Sequence, residues 1–174
     1  MITIIGTRAT ISDVEFFIQR LMDFSKKMDI CIQVFDAKFI YGKDHLISAT
    51  THAKRAFQQQ TNATNTLAME ILLYAAGERQ IQKAIKKMGI KKGRQELVFV
   101  LTNTSDANPQ KKISEAVIRR LLQTFKLTFD ETVISGTKDT LKRFGITDKE
   151  LSTVPEEKYG DIILEKVALV DVIK

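Results

Sequence analysis

Glu70, Tyr74, Arg79 and Gln80 are the residues of this chain whose types and spacing could do chemistry. They lie in one stretch, Asn65 to Met88, NTLAMEILLYAAGERQIQKAIKKM. Thr66, Glu70 and Tyr74 recur at i, i+4 and i+8 and so share one face of a helix. The rest of that helix, Leu67, Ala68, Met69, Ile71, Leu72, Leu73, Ala75 and Ala76, is apolar on every side and belongs in a core. A carboxylate there is costly unless it is partnered or meets water. Burial could raise the pKa of Glu70 and make it a general acid or base. The stronger reading is structural: Glu70 pairs with Arg79 or with backbone donors near Gly77, and from there it can still offer an acceptor to a ligand. Arg79 and Gln80 open the next helix, whose free N–H groups suit a phosphate or ribose. The alternative is that Arg79 only pairs with Glu70. Tyr74 offers a ring for a base to stack on; the alternative is a core tyrosine with a satisfied hydroxyl. Lys54 and Arg55, on the preceding helix, could reach the same side, and a solvated face is their default.

No catalytic apparatus accompanies these residues. The two histidines, His45 and His52, align on one helix, but there is no HExxH and no cysteine nearby, so the three or four clustered ligands zinc needs are missing. The sequence has no GxxxxGK[ST], no GxGxxG and no GxSxG. These absences point away from an enzyme, a metal site and a small-molecule cofactor. The single cysteine, Cys31, excludes an internal disulfide, sits in an apolar run as a buried inert thiol, and suits a reducing cytoplasm. No apolar stretch approaches the roughly 20 residues of a membrane span, and the first residues lack the layout of a signal peptide.

The net charge is +6 and the pI about 9.4, which by itself is a weak pointer to an anionic partner. Distribution says more. Between Arg79 and Arg94 lie Lys83, Lys86, Lys87, Lys91 and Lys92 with no acid among them, and Lys111, Lys112, Arg119 and Arg120 form a second cluster. Clustered positive charge is the footprint of a phosphate backbone; a solvated helix face is the other reading.

The elements that must position these residues follow from pattern. At 174 residues the chain is long enough for one domain, 1–174, with a substantial core. Ile2 to Arg8, Ile30 to Ala37 and Gln95 to Thr102 read as strands. Ser12 and Glu15 form a capping box for a helix to about Lys27, and Asp44 caps a helix from His45 to about Gln60. Asn65 caps the central helix, and Gly77 ends it by taking the left-handed conformation. The helix after Gly77 buries Ile81, Ala84, Ile85 and Met88. Asn108 and Pro109 open a helix carrying Ile113, Ala116, Val117, Leu121 and Leu122. Thr137 to Phe144 is a short helix closed by Gly145, Thr147 and Glu150 make a second capping box, and Pro155 opens a last helix. Alternation of Ala168, Val170 and Val172 favours a final strand over Val167 to Ile173. Interspersed strands and helices predict an α/β (α+β) layer fold, a small mixed or antiparallel sheet of about four strands covered by several helices.

The string MEILLYAAGERQI resembles the motif of the small regulatory subunit of the KEOPS complex, the PRPK-binding protein family. The resemblance is strongest from about His45 to Gly93, and chain length and element order agree over nearly the whole chain. Ala76 departs mildly from the pattern, which often has Ser there. The resemblance implies a non-catalytic subunit of a cytoplasmic assembly that installs the threonylcarbamoyl group on tRNA. Such a subunit binds and stimulates the complex's kinase-ATPase subunit and grips the 3′ CCA end of tRNA, while another subunit does the transferase chemistry. Carried over by position, it implies an RNA-end site at Asn65, Glu70, Gly77, Arg79 and Gln80. Tyr74 would supply a stacking ring, Lys83 and Lys87 would extend the track toward the acceptor stem, and Lys54 would join from the preceding helix. The alternative is a kinase-binding regulator with little RNA affinity of its own. The helix after Ser12 and the helix after Pro109 are the candidate kinase surfaces.

Overall fold

β-branched and aromatic residues at alternating positions build one antiparallel sheet, seen in a computed structural model that describes residues 1–104 and 112–174. Its backbone is the long pair β1 (Ile2–Ile11) and β3 (Gly93–Asn103), in register from Ile2 opposite Thr102 to Ile11 opposite Gly93. β2 (Ile30–Asp36) pairs with the other side of β3, and β4 (Thr128–Phe129) with the outer side of β1, giving the order β2-β3-β1-β4. The apolar run in β3 is split between the faces. Leu97, Phe99 and Leu101 pack with Ile5, Ile32 and Val34, whereas Val98 and Val100 pack with Ile4, Cys31 and Phe35.

Each face is covered. α1 (Val14–Met28) and α5 (Glu115–Thr124) cover the first, where Phe17 and Phe24 both meet Phe125 edge-on. The second carries α2 (Gly42–Gln58), α3 (Leu67–Ala76), α4 (Ile81–Met88), α6 (Lys138–Phe144), α7 (Asp148–Leu151) and α8 (Tyr159–Ile173). α3 is the centre of that layer: Ile71 to Ala76 are all buried. α2 and α8 run parallel in register. Tyr41 lies against Gly160 and His52 meets Asp171, and each pair is 119 residues apart.

Several boundaries differ from the sequence reading, each for a local reason. β1 continues to Ile11, so Asp13 rather than Ser12 caps α1, its carboxylate accepting from the Phe16 N–H at 2.9 Å. Thr66 caps α3, accepting from Met69, and Asn65 stands outside the helix. α2 begins at Gly42, which places Asp44 in its first turn and Tyr41 at the cap. The expected strand over Val167 to Ile173 is instead the end of α8. Ile162, Ile163, Val167 and Val170 are buried at helical spacing, a pattern that outweighs the short alternation after it. The fourth strand is Thr128–Phe129, where Gly6 in β1 lets the chain come close; a Cβ there would meet the Asp130 carbonyl oxygen at 2.4 Å. The expected helix start at Asn108 and Pro109 lies outside the described residues; Ser114 caps α5. The capping box of Thr147 and Glu150 and the closure of α6 by Gly145 are as expected, Gly145 taking the left-handed conformation.

Candidate nucleic-acid interface and its bracing

Glu70 is buried completely, and its burial is fully compensated. Its carboxylate accepts from the Ala63 N–H (3.1 Å), the Thr64 N–H (2.9 Å), the Thr64 hydroxyl (2.7 Å) and the ammonium of Lys174 (3.0 Å). The expected pair with Arg79 does not form. Glu70 sits in the first turn of α3, whereas Arg79 follows Gly77 at the other end and is exposed. The brace therefore holds the segment before α3, not the junction after it. Gly77 does end the helix, with φ +63° and its N–H and that of Glu78 donated back to Tyr74 and Leu73.

Tyr74 is a core tyrosine, and no base can stack on its ring as the protein stands. The side chain is buried, the ring stacks on His52 (5.6 Å between centroids, 28° between planes), and the hydroxyl donates to Asp171. Burial first, and then the bond to the Asp171 carboxylate, push the phenol's pKa up. The Lys174 ammonium lies 4.6 Å from the same ring centroid, so one cation meets both Glu70 and Tyr74. Asp171 also meets His52 at 2.7 Å and Arg55 at 3.2 Å. Burial works against its charge, but the hydrogen bonds from Tyr74 and His52 win and hold its pKa below the usual range. Asp171 and Lys174 were not legible as site residues, because the segment that carries them reads locally as a strand. Their i, i+3 spacing on a helix running on from Ile162 is the signal that finds them.

The other expected site residues fall into two groups. Asn65 is exposed at the N-terminal end of α3, with Lys54 half-buried on α2. Gly77, Arg79 and Gln80 stand at the C-terminal end, about 18 Å away at 1.5 Å per residue. α4 bridges the gap by folding back along α3, so that its Ile85 and the following Gly89 line the same groove as Thr66 and Met69. Arg79, Lys83 and Lys86 are exposed along this return path. Lys87 is not part of it. Its ammonium donates to the Ala76 carbonyl at 2.8 Å, lies 3.7 Å over the Phe144 ring, and approaches Glu78 at 3.7 Å. There it caps the C-terminal end of α3, where a cation is favoured, and burial lowers its pKa.

The groove beside Thr66 has a volume of about 980 Å³, with Ile18 and Met22 of α1 forming the opposite wall along the open edge of β2. His45 and His52 are each engaged within the protein, His52 with Asp171 at 2.7 Å. His45 accepts at Nδ1 from the Tyr41 N–H (3.2 Å) and lies 2.8 Å from the Ala75 carbonyl oxygen through Nε2, which fixes the proton on Nε2. Its burial lowers its pKa to about 4. Among the described residues no three His, Cys, Asp or Glu side chains are placed to hold a metal ion, and no helix is long and apolar enough to cross a membrane. Cys31 is buried, and burial pushes its thiol up to about 12.

No curated protein matches the chain. The model of one family does, that of the kinase binding protein CGI-121, over residues 9–171. That match takes in every element from the end of β1 to the Asp171 hub on α8, and the chain therefore belongs to the CGI-121 family of kinase-binding proteins.

Proposed function

We propose that this protein is a non-catalytic regulatory subunit of a KEOPS-type assembly. It binds the kinase-ATPase subunit and recruits tRNA by its 3′ CCA end in support of threonylcarbamoyladenosine formation. The observation that carries the reading is the match to a kinase-binding family over residues 9–171. Adaptor work needs surfaces rather than a reaction centre, and two surfaces suit it.

The kinase partner is given the outer face of α8 and α2. Leu169, Val172 and Ile173 are 41%, 79% and 44% exposed, and Ile47 on α2 is 41% exposed. The parallel register puts Ile47 level with Lys166, one turn from Leu169. Apolar side chains grouped on an outer face mark an interaction site. The helix after Ser12, where Phe16 and Met22 are 62% and 58% exposed and the Arg20 guanidinium lies 5.7 Å over the Phe16 ring, is the alternative kinase surface.

The RNA end is given the track from Arg79 through Lys83 and Lys86 to Asn65, with Gln80 beside it. Single-stranded ends are held by backbone charge, base-edge hydrogen bonds and apolar contact, and the groove beside Thr66 provides an apolar wall. Glu70, Tyr74, Gly77 and Lys87 then act from beneath by holding the ends of α3. The internal position of Glu70, Tyr74 and Lys87 is the observation that favours the second reading, a kinase regulator with little RNA affinity. Titrating the wild-type protein and Val172→Asp with the purified kinase-ATPase subunit tests the kinase surface. Tight binding by wild type, weakened tenfold or more in Val172→Asp, is expected; equal binding by both moves the partner to another face.

A further inference from the structure

Lys174 joins the two proposed surfaces. It follows α8 by one residue beyond Ile173, within the turn that carries the exposed Val172 and Ile173, yet its own side chain is 8% exposed and ends on Glu70. Glu70 in turn holds the Ala63 N–H, the Thr64 N–H and the Thr64 hydroxyl. Those bonds fix the segment that presents Asn65, in which Thr64 Oγ1 also lies 3.1 Å from the Thr66 carbonyl oxygen. One turn back on α8, Asp171 fastens the same face through Tyr74, His52 and Arg55.

We infer that the Glu70–Lys174 pair couples the outer face of α8 to the segment before α3, so that a partner seated on α8 raises the RNA affinity of that segment. The inference rests on the reading above that these two surfaces take a kinase and an RNA end. The coupling requires that the last turn of α8 exchange between the docked arrangement, in which Lys174 reaches Glu70, and a frayed one. Only the docked one sets Val172 and Ile173 beside the parallel α2, so a partner that covers both helices binds it preferentially. Only the docked one delivers the Lys174 ammonium to Glu70, completing the four-donor cluster that holds Ala63 and Thr64. A ligand shifts such an equilibrium by its differential affinity for the two states, and the coupling is reciprocal: tRNA must tighten kinase binding by the factor by which the kinase tightens tRNA binding.

The test measures tRNA affinity with and without saturating kinase-ATPase subunit for wild type, Lys174→Met, Lys174→Arg and the double variant Glu70→Gln/Lys174→Met. The double variant removes both charges and keeps an acceptor at position 70 for the Ala63 and Thr64 donors, so it should fold. Amide exchange at Ala63 and Thr64 is followed in the same proteins. In wild type the kinase should tighten tRNA binding about fivefold or more, the lower end of usual coupling, and slow exchange at both amides. Lys174→Arg should retain most of the coupling. In Lys174→Met and in the double variant the factor should fall to about one while the proteins stay folded and the kinase still binds. Coupling that survives in the double variant, or exchange at Ala63 and Thr64 that ignores the kinase in wild type, overturns the inference. A wild type that binds no kinase or no tRNA overturns the reading beneath it instead.

Discussion

Glu70 and Lys174 meet at 3.0 Å across 104 residues of sequence, with the carboxylate wholly buried and the ammonium nearly so. Together with the bond from Tyr74 to Asp171, the pair ties the central helix to the last one. The carboxylate would be untenable inside α3 without its four donors, and the lysine would be an ordinary surface cation without the carboxylate.

Removing one partner leaves the other buried without its countercharge. Lys174→Ala and Glu70→Ala should each lower unfolding stability by about 3–5 kcal/mol, the usual loss on breaking a buried pair. The double variant should lose less than the sum of the two, because the partners share one interaction. Urea denaturation of the three proteins checks this, and strictly additive losses would mean the pair contributes nothing as a pair.

Stability should fall as pH drops from about 6.5 to about 4, through His45. The folded-state pKa is depressed from 6.5 to about 4 by burial, so in that window the unfolded chain binds the proton and the folded one does not. The stabilisation is complete above the unfolded pKa, is lost as pH falls toward the folded one, and is worth at most roughly 3 kcal/mol. Below that window Asp171 and Glu150, both depressed by their hydrogen-bonding partners, take over the loss. Denaturation midpoints across pH for wild type and His45→Gln should diverge in slope between pH 4 and 6.5, the variant being flatter there. Parallel curves would show that His45 does not titrate on unfolding.

The lysines of α4 should separate by role. Lys87→Glu should destabilise the protein, since the ammonium caps Ala76 and covers the Phe144 ring. Lys83→Glu and Lys86→Glu should leave stability within about 0.5 kcal/mol, as exposed substitutions do. They should weaken tRNA binding and flatten its salt dependence by about 0.7 in log–log slope for each contact removed. Thermal melts beside salt-series titrations distinguish the two outcomes. A Lys83→Glu variant with unchanged affinity and slope would remove α4 from the RNA track.

Much of the molecule could be read from its residues because the signals were local. The strand around Leu97 to Leu101, the Gly77 turn and the capping box at Thr147 each depend on a few neighbours, and each is where the pattern put it. The partner of Glu70 could not be read, because it comes from a helix 104 residues away whose last turns alternate like a strand. Arg79 was the nearest cation in sequence, yet Glu70 sits in the first turn of α3 and Arg79 beyond its last, a separation that sequence proximity conceals. Tyr74 is a similar case. Its place on the Glu70 face was legible, but whether that face met solvent or α8 was decided by α8 alone. Lys87 looked like one more cation in a basic run, and only the return of α4 along α3 brings it to the Ala76 carbonyl.

Whether the protein is an adaptor that holds the 3′ end of tRNA, as proposed, is decided by titrating the isolated protein at fixed salt with tRNA, intact and with its CCA removed. Salt must be fixed because phosphate contacts dominate affinity and are screened. Trimming the CCA should remove most of the binding, and Asn65→Ala and Arg79→Ala should weaken the intact complex in the same direction. Equal affinity for the two RNAs, or none for either, would contradict the proposal and leave the protein a regulator of its kinase partner alone.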